Sequence, residues 1–180
     1  MKLTNIKITL CGEGGVGKTS LATMFTEGIF KRDMKLTVGI QHFTKVIDLG
    51  NAKVNLVIWD LGGEHRFRFL APLFLRGAKG AIFVFDITRD ETFAKIDEWL
   101  DISRKILGNF PAILVGNKLD LEEFRLVPKD IAINYAKRRG FIAYYETSAK
   151  LNINVHAPFI HLARAIVGDI YAQDIKDFLP

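Results

Sequence analysis

Residues 12–19 limit the choice of fold more than any other part of the sequence. They read Gly-Glu-Gly-Gly-Val-Gly-Lys-Thr, follow an apolar run and precede a helical pattern. In this G-x-x-x-x-G-K-[S/T] pattern the glycines let backbone N–H groups wrap a phosphate, and the helix adds its positive dipole end. A plain strand–turn–helix joint needs neither the lysine nor the threonine. We expect Lys18 at the β- and γ-phosphates of a nucleotide and the Thr19 hydroxyl on Mg²⁺. The residues expected to hold the phosphates are Glu13, Gly14, Gly15, Val16, Gly17, Lys18, Thr19 and Ser20.

Strand and helix patterns alternate along the rest of the chain. The strands are expected at residues 3–10, 44–49, 53–59, 81–85, 112–115 and 142–145. About five helices are expected, among them residues 19–25, 91–107, a helix from about residue 128, and 155–172. Gly50-Asn51 predicts a tight turn that joins two strands as a hairpin. The alternation favours an α/β fold with a six-stranded, mostly parallel sheet in one domain over residues 1–180. Ligands of such sheets bind at the carboxyl ends of the strands.

The composition fits a globular protein of a reducing compartment. Hydrophobic residues make up 49% of the 180 residues and charged residues 25%, which argues against disorder. The single cysteine, Cys11, has no partner for an internal disulfide. No apolar run approaches the ~20 residues of a membrane span, so we expect a cytoplasmic protein.

The net charge of +5 comes from scattered lysines and arginines. Their one short run, residues 137–139, is expected at the solvated end of a helix. A nucleic-acid surface would cluster basic and aromatic side chains on one face. We therefore expect no binding to nucleic acid. We also expect the chain to be a monomer.

The two ends of the sequence bear on lipid attachment. The first residues lack the apolar core of a signal peptide, and Lys2 excludes N-myristoylation. Residues 176–180 include no cysteine to prenylate, so no lipid anchor is expected in this sequence. A chain trimmed at its C-terminus would read the same. Contact with membranes is expected only at the periphery, through partners.

Two further motifs indicate the base. Residues 117–120 (Asn-Lys-Leu-Asp) follow one predicted strand, and the carboxylate of Asp120 can accept both donors on one edge of guanine. Adenine lacks that pair, and sites of this kind discriminate by ~10⁴ or more. Residues 147–150 (Thr-Ser-Ala-Lys) follow the next strand, where backbone amides can donate to guanine O6. The expected base-pocket residues are Asn117, Lys118, Asp120, Ser148, Ala149 and Lys150.

With these motifs the chain resembles the Ras superfamily of small GTPases, most closely the Rab branch, over almost its whole length. Residues 37–40 (Thr-Val-Gly-Ile) resemble the first switch, and residues 59–64 (Trp-Asp-Leu-Gly-Gly-Glu) the second switch with its D-x-x-G core. Further likenesses to Rab proteins lie at residues 75–78, 85–88, 116–120 and 146–150. The resemblance implies a three-layer P-loop GTPase domain. It also implies a GTP- and GDP-binding switch with Mg²⁺ and slow GTP hydrolysis, of the signalling or trafficking type.

The resemblance also implies roles at matching positions. Thr37 would complete Mg²⁺ coordination and sense the γ-phosphate, and Asp60 would bind Mg²⁺ through water. The Gly63 N–H would reach the γ-phosphate. Phe30 would pack beside the base, although core packing would explain it as well, and Lys118 would lay its stem along the base. Candidate catalytic residues are thus Lys18, Thr37, Gly63 and Glu64, and candidate metal ligands are Thr19, Thr37 and Asp60.

Glu64 departs from the family pattern, which normally has Gln there to orient the attacking water. Glu64 would orient or deprotonate that water, or it would be repelled by the γ-phosphate at about 1–4 kcal/mol for charges ~4 Å apart. Alternatively, His65 would swing in, or Glu64 would simply be solvated in a mobile loop. We favour weak intrinsic hydrolysis with Glu64 near the water.

Other departures limit what the resemblance carries over. Leu61-Gly62-Gly63 stands where Rab and Ras proteins usually have Thr-Ala-Gly, and its glycine pair resembles the Arf branch instead. The extra glycine is expected to add backbone freedom. Met34 and Leu36 replace the polar or proline residues often found before the switch threonine, so effector identity does not transfer. Arg32 reads as a solvated loop residue, and no arginine stands at a spacing that indicates a role within the chain. An arginine from a GTPase-activating partner would add ~10³–10⁵ in rate.

Three functions compete. The leading one is a GTPase switch served by an exchange factor, a GTPase-activating protein and effectors. A hydrolysis-deficient, GTP-bound scaffold is the alternative, supported by Glu64 alone. An ATP-using P-loop kinase is a third, but it would have no use for the carboxylate of Asp120.

Overall fold

A computed structural model describes the backbone of residues 3–178 and the side chains of residues 3–170. Its strands are β1 (Thr4–Cys11), β2 (Ile40–Asp48), β3 (Lys53–Leu61), β4 (Gly80–Asp86), β5 (Ala112–Asn117) and β6 (Ala143–Glu146). Its helices are α1 (Lys18–Glu27), α2 (Ala71–Leu75), α3 (Asp90–Ala94), α4 (Ile96–Leu107), α5 (Lys129–Arg138) and α6 (His156–Phe178). Two 3₁₀ segments span His65–Leu70 and Leu119–Phe124. Lys2 and the last two residues, on which the lipid-anchor expectation depends, lie outside the described part.

The strands form one sheet in the order β2-β3-β1-β4-β5-β6. All neighbours are parallel except β2 and β3, so the predicted mostly parallel sheet is confirmed. The predicted hairpin is also confirmed. It is closed by a 2.9 Å hydrogen bond from the Leu49 amide to the Ala52 carbonyl.

Helices cover both faces of the sheet. In β4, Ile82 and Val84 face a core that includes Phe25 of α1 and Phe159 of α6. The alternate residues of β4, such as Phe83, belong to the opposite core together with side chains of α2, α4 and α5. Continuous apolar runs suit strands buried on both sides, which is why these runs predicted strands correctly.

The predicted helix at residues 91–107 is instead two helices, α3 and α4, which meet at Lys95. A buried Thr92 hydroxyl binds the backbone at both Asp86 and Arg89, so it fixes α3 against the end of β4. The buried residues of α4, among them Ile96, Trp99 and Leu100, have helical spacing. That spacing predicted the helix, but Lys95 itself has right-handed helical dihedrals and gave no sign of a boundary.

The carboxyl ends of the parallel strands meet at one edge of the sheet, and the loops from these ends form the candidate site.

The basic residues 137–138 lie in the last turn of α5, where the helix dipole favours cations. Among the described residues, no helix is both long and apolar enough to cross a bilayer.

Candidate functional site

An open cleft of about 230 Å³ lies at this edge of the sheet. Of the predicted site residues, those that line it are Gly14, Gly15, Gly17, Lys18, Thr19, Ser20, Phe30, Thr37, Gly63, Glu64, Asn117 and Lys118. Among the described residues, the lining carries five cationic side chains (Lys18, Lys31, Arg32, Lys35 and Lys118) against one acidic side chain, that of Glu64. This excess of positive charge suits a polyphosphate.

The loop between β1 and α1 positions Lys18. Gly17 adopts a left-handed conformation, with φ of 97°, immediately before the helix starts. The Lys18 ammonium folds back to donate to the carbonyls of Gly12 and Glu13, each at 2.9 Å. Burial lowers the pKa of Lys18, and the nearby charge of Asp60 opposes that shift. An ammonium ion that is held by carbonyls inside the loop can exchange them for phosphate oxygens.

Three predicted metal ligands meet beside Lys18. The hydroxyl oxygens of Thr19 and Thr37 lie 2.5 Å apart, and Thr19 also donates to Oδ2 of Asp60. Asp60 is fully buried, and its Oδ1 has no hydrogen-bond partner among the described residues. Burial raises the pKa of this carboxyl group, whereas Lys18 and Thr19 act in the opposite direction.

This donor set fits Mg²⁺. Mg²⁺ is usually held by one or two carboxylates together with water and substrate phosphates. Two hydroxyls and an unsatisfied carboxylate oxygen match that pattern. Within residues 3–170, no group of three or more His, Cys, Asp and Glu side chains could form a metal site from protein ligands alone.

The second switch packs directly on the phosphate loop. A Cβ atom added to Gly63 would lie 2.2 Å from the carbonyl carbon of Glu13 and 2.3 Å from the amide nitrogen of Gly14. Only glycine permits this approach. The Gly62 amide donates to the Gly39 carbonyl at 2.8 Å, which joins the second switch to the first.

Glu64 lies over the phosphate loop, near Gly14. Its Oε2 accepts a 2.6 Å hydrogen bond from Nε of Arg66, and its side chain is one-third exposed. His65 is exposed at the start of the 3₁₀ segment. Sequence reasoning missed the pairing of Glu64, because Arg66 carried no motif of its own.

Arg89, from the loop between β4 and α3, also reaches the phosphate loop. Its Nη1 donates to the Gly14 carbonyl at 3.2 Å, and its Nε pairs with Glu91 at 2.9 Å. The sequence offered no signal for this arginine, which is 75 positions from Gly14. Arg32, expected as a solvated loop residue, is exposed and lines the cleft.

The base side of the site is built from the loops after β5 and β6. The buried side-chain amide of Asn117 donates to the Val16 carbonyl and accepts from the Thr147 hydroxyl, both at 2.9 Å. Asn117 therefore joins the phosphate loop to both base-pocket loops. The Ser148 hydroxyl donates to Oδ1 of Asp120 at 2.7 Å and fixes that carboxylate.

The other base-pocket residues have mixed environments. The Lys118 ammonium pairs with the buried carboxylate of Asp86 at 2.8 Å. Phe30 is half-buried and both lines the cleft and packs on the core, so both interpretations of it fit. Ala149 is buried, and Lys150 is exposed.

A charged network that the sequence did not reveal supports the loop after β6. Arg125 binds both carboxylate oxygens of the buried Glu146, at 2.8 and 3.0 Å. The Tyr144 hydroxyl donates to the same carboxylate at 2.9 Å. The Glu146 carbonyl also accepts from the side chain of Asn154 at 3.1 Å, which closes the loop that carries Ser148. These bonds hold the end of β6 in place.

Comparison with known proteins agrees with this geometry. The sequence profile of the Ras family matches residues 7–168. The Ras-related protein Rab-21 of Dictyostelium discoideum is 39% identical over 164 residues, which cover 91% of this chain and 77% of that protein. The Ypt/Rab-type GTPase ypt7 of Schizosaccharomyces pombe is 37% identical over 176 residues, or 94% and 86% of the two chains. The human Ras-related protein Rab-21 is 40% identical over 164 residues, or 91% and 72%. The resemblance found in the motifs is thus confirmed, and the chain belongs to the Ras family as a Rab-like small GTPase.

Proposed function

We propose that this chain binds GTP and GDP with Mg²⁺, hydrolyses GTP slowly and works as a molecular switch. The observation that carries the proposal is the meeting of Thr19, Thr37 and Asp60 beside Lys18. These residues come from the phosphate loop and both switch segments. A γ-phosphate and its Mg²⁺ at this point would hold both segments, and hydrolysis would release them.

The specificity for guanine is assigned to Asp120. Its carboxylate is held by Ser148, and an ionised carboxylate only accepts hydrogen bonds. Guanine presents two donors to such a group, whereas adenine would leave the charge without a partner. Asn117 supports the pocket by joining it to the phosphate loop.

Mg²⁺ would be held by Thr19, Thr37 and Asp60, together with phosphate oxygens and water. The ion supplies charge neutralisation at the phosphates. Lys18 would bind the β- and γ-phosphates, and Gly63 would donate its N–H to the γ-phosphate. Both act on charge that spreads over the phosphate oxygens as the bond to the leaving group breaks.

Hydrolysis is assigned a low intrinsic rate because of Glu64. Glu64 lies over the phosphate loop beside Gly14, on the side where we place the γ-phosphate and the attacking water. Its negative charge would repel the γ-phosphate, although the Arg66 guanidinium partly neutralises that charge. The usual glutamine would orient water without that repulsion.

A hydrolysis-deficient, GTP-bound scaffold is the second candidate. The pairing of Glu64 with Arg66 favours it, because a carboxylate oxygen that is engaged by a guanidinium is not free to orient the attacking water. Both candidates share the same nucleotide site and differ only in turnover.

The switch would act through partners. Exposed apolar side chains lie on the first switch and on the 3₁₀ segment that follows the second switch, among them Val38 at 71% and Phe69 at 77% exposure. Such side chains suit effectors, an exchange factor or a GTPase-activating protein that reads the nucleotide state. The names of the relatives place them among Rab-type GTPases, so we assign this chain to signalling or trafficking. We place it in the cytoplasm, and at membranes through partners.

Single-turnover phosphate release tests the proposal. The purified chain is loaded with GTP and Mg²⁺, and phosphate is measured with and without Mg²⁺ chelation. Slow release that depends on Mg²⁺ supports the switch. Stable GTP binding without release supports the scaffold. Release that does not depend on Mg²⁺ contradicts the assigned site.

A further inference from the structure

Arg68, in the 3₁₀ segment that directly follows the second switch, has an unusually rich set of partners. Its Nη2 pairs with Oε1 of Glu13 at 2.7 Å, and its Nη1 pairs with Glu98 of α4. Its guanidinium carbon lies 5.2 Å from the ring centroid of Trp99. The side chain is only 16% exposed, although the 3₁₀ segment that carries it lies at the surface. Ion pairs gain strength when they are shielded from water, so this arginine is more than a solvated charge.

Glu13 occupies a position that the phosphate-binding pattern leaves open. Its carboxylate accepts from Arg68 and also from Nε1 of Trp99, at 3.1 Å. Its backbone carbonyl accepts the Lys18 ammonium at 2.9 Å. One residue therefore connects the phosphate-binding lysine to the second switch and to α4. Phosphate binding by the loop needs only the backbone of Glu13, so that role leaves its carboxylate unexplained.

The pair formed by Glu13 and Arg68 also affects the position of Gly63. Gly63 packs on the backbone of Glu13 and Gly14, and Arg68 follows it by five positions in the same segment. The Glu13–Arg68 pair therefore fixes the segment on one side of Gly63. The Gly62 amide fixes it on the other side, through the Gly39 carbonyl.

We propose that Glu13 and Arg68 form a tether that holds the second switch on the phosphate loop and selectively strengthens the binding of GTP over GDP. The inference rests on the proposed function. Both are positioning residues, because they act through Gly63 rather than on the nucleotide. GTP gains from a Gly63 that is already in place, whereas GDP has no γ-phosphate to receive its N–H. A contact that favours one state can shift the balance only by its differential effect on the two ligands.

A merely structural ion pair predicts something else. It would stabilise the fold to the same degree with either nucleotide, and its loss would weaken GTP and GDP binding together. The ratio of the two affinities is therefore the decisive quantity.

The test compares the wild type with Glu13→Gln, Arg68→Gln and the double variant. Affinities for GDP and for a non-hydrolysable GTP analogue are measured with Mg²⁺ by competition with a fluorescent nucleotide. Arg139→Gln is the matched control. Arg139 also pairs with carboxylates of α4, at 3.0 Å to Asp97 and 3.1 Å to Asp101, but it lies on the side of α5.

The tether predicts that each single variant loses about fivefold or more in affinity for the GTP analogue, and less than about twofold for GDP. The double variant should lose less than the sum of the two single losses, because both substitutions remove the shared Glu13–Arg68 pair. Arg139→Gln should leave the ratio unchanged. Equal losses for both nucleotides, or additive losses in the double variant, would overturn the tether.

Hydrogen exchange of residues 63–75 in the nucleotide-free proteins keeps the two proposals separable. Faster exchange in Glu13→Gln and Arg68→Gln, but not in Arg139→Gln, is expected from a broken tether. If the wild type bound neither nucleotide, the proposed function would fail, and exchange would still decide whether the tether holds the segment. Unchanged exchange would overturn it.

Discussion

The side-chain oxygen of Thr19 lies 2.5 Å from that of Thr37, although the two threonines are 18 positions apart in the chain. Thr19 lies in the first turn of α1, and Thr37 lies in the loop before β2. Asp60, from the far end of β3, completes the group. Three separate segments thus bring oxygen atoms to one point, at the end of the phosphate loop.

Replacing Thr19 by alanine removes the hydroxyl that contacts both Thr37 and Asp60. We expect nucleotide affinity with Mg²⁺ to fall about 10-fold or more, because even the loss of an outer-shell partner of a metal ligand typically costs 10–100-fold. Affinity with the metal chelated should change little. Thr26→Ala is the matched control, since Thr26 lies on the same helix and its hydroxyl donates to the Ala22 carbonyl at 2.8 Å, away from Thr37 and Asp60. An equal loss with and without Mg²⁺ would exclude Thr19 as a ligand.

Gly63→Ala tests the close packing of the second switch. The added Cβ would meet backbone atoms of Glu13 and Gly14 at 2.2–2.3 Å, so the segment must move away from the loop. We expect a loss of about 1–3 kcal/mol in the free energy of unfolding and a loss of GTP hydrolysis. Gly168→Ala in α6, where a Cβ meets nothing within 4 Å, should instead be neutral or stabilising by up to about 1 kcal/mol. Thermal unfolding and single-turnover hydrolysis measure both, and a fully active Gly63→Ala protein would argue against the role of Gly63.

Asp120→Asn tests the choice of base. Asparagine replaces one acceptor oxygen by a donor that faces the donors of guanine, so GTP affinity should fall about 100-fold or more. Asp130→Asn makes the same charge change on an exposed residue of α5 and should leave affinity unchanged. Ser148→Ala should cause a smaller loss, because it removes only the hydroxyl that holds Asp120. Isothermal titration measures all three, and unaltered guanine binding by Asp120→Asn would contradict the pocket.

Glu64 is tested by single-turnover GTP cleavage. We expect Glu64→Gln to be faster than the wild type, since it keeps an oxygen near the water and removes the repulsion of about 1–4 kcal/mol. Glu64→Ala should be slower than Glu64→Gln. His65→Gln tests the alternative that His65 acts in place of Glu64. An unchanged rate would exclude this exposed side chain from the mechanism. Equal rates in the wild type, Glu64→Gln and Glu64→Ala would exclude a role of Glu64 in hydrolysis.

The pH dependence of stability tests the pairing of Glu98. Hydrogen bonds from Lys95 and then Arg68 lower its pKa to about 2, from the model-compound value of 4.5. A carboxyl group with a depressed folded pKa stabilises the fold above its unfolded pKa and loses that contribution as the pH falls toward the folded pKa. The Tm advantage of the wild type over Glu98→Gln should therefore be largest above pH ~5 and shrink toward pH ~2. A constant difference between pH 6 and pH 2.5 would contradict the pairing.

The positions of the strands along the chain followed from local patterns. Apolar runs, the Gly50 turn and helical spacing are all short-range features, and each agrees with the sheet that forms. The break at Lys95 was not predicted, because apolar residues have the same helical spacing in both helices and no glycine or proline separates them. α2 also received no predicted bounds, since its five residues are too short for a periodic pattern.

The residues of the candidate site also differ in whether the sequence predicted them. Motifs singled out residues such as Lys18 and Asp60, and in the structure Lys18 bonds to the phosphate loop and Asp60 to Thr19. Arg89 and Arg68 reach the phosphate loop through long side chains from distant segments. Such contacts depend on rotamers and on the folded arrangement, which no spacing in the sequence encodes. The added freedom expected at Gly62 is limited in the structure by the hydrogen bond from its amide.

Competition between GTP and ATP for the cleft tests guanine-nucleotide binding directly. Each nucleotide is titrated with Mg²⁺ against the purified chain loaded with fluorescent GDP. We predict that GTP displaces the probe at concentrations at least ~10⁴-fold below those of ATP, because only guanine satisfies Asp120. Displacement by ATP at equal or lower concentration would contradict the assignment of this chain as a guanine-nucleotide switch.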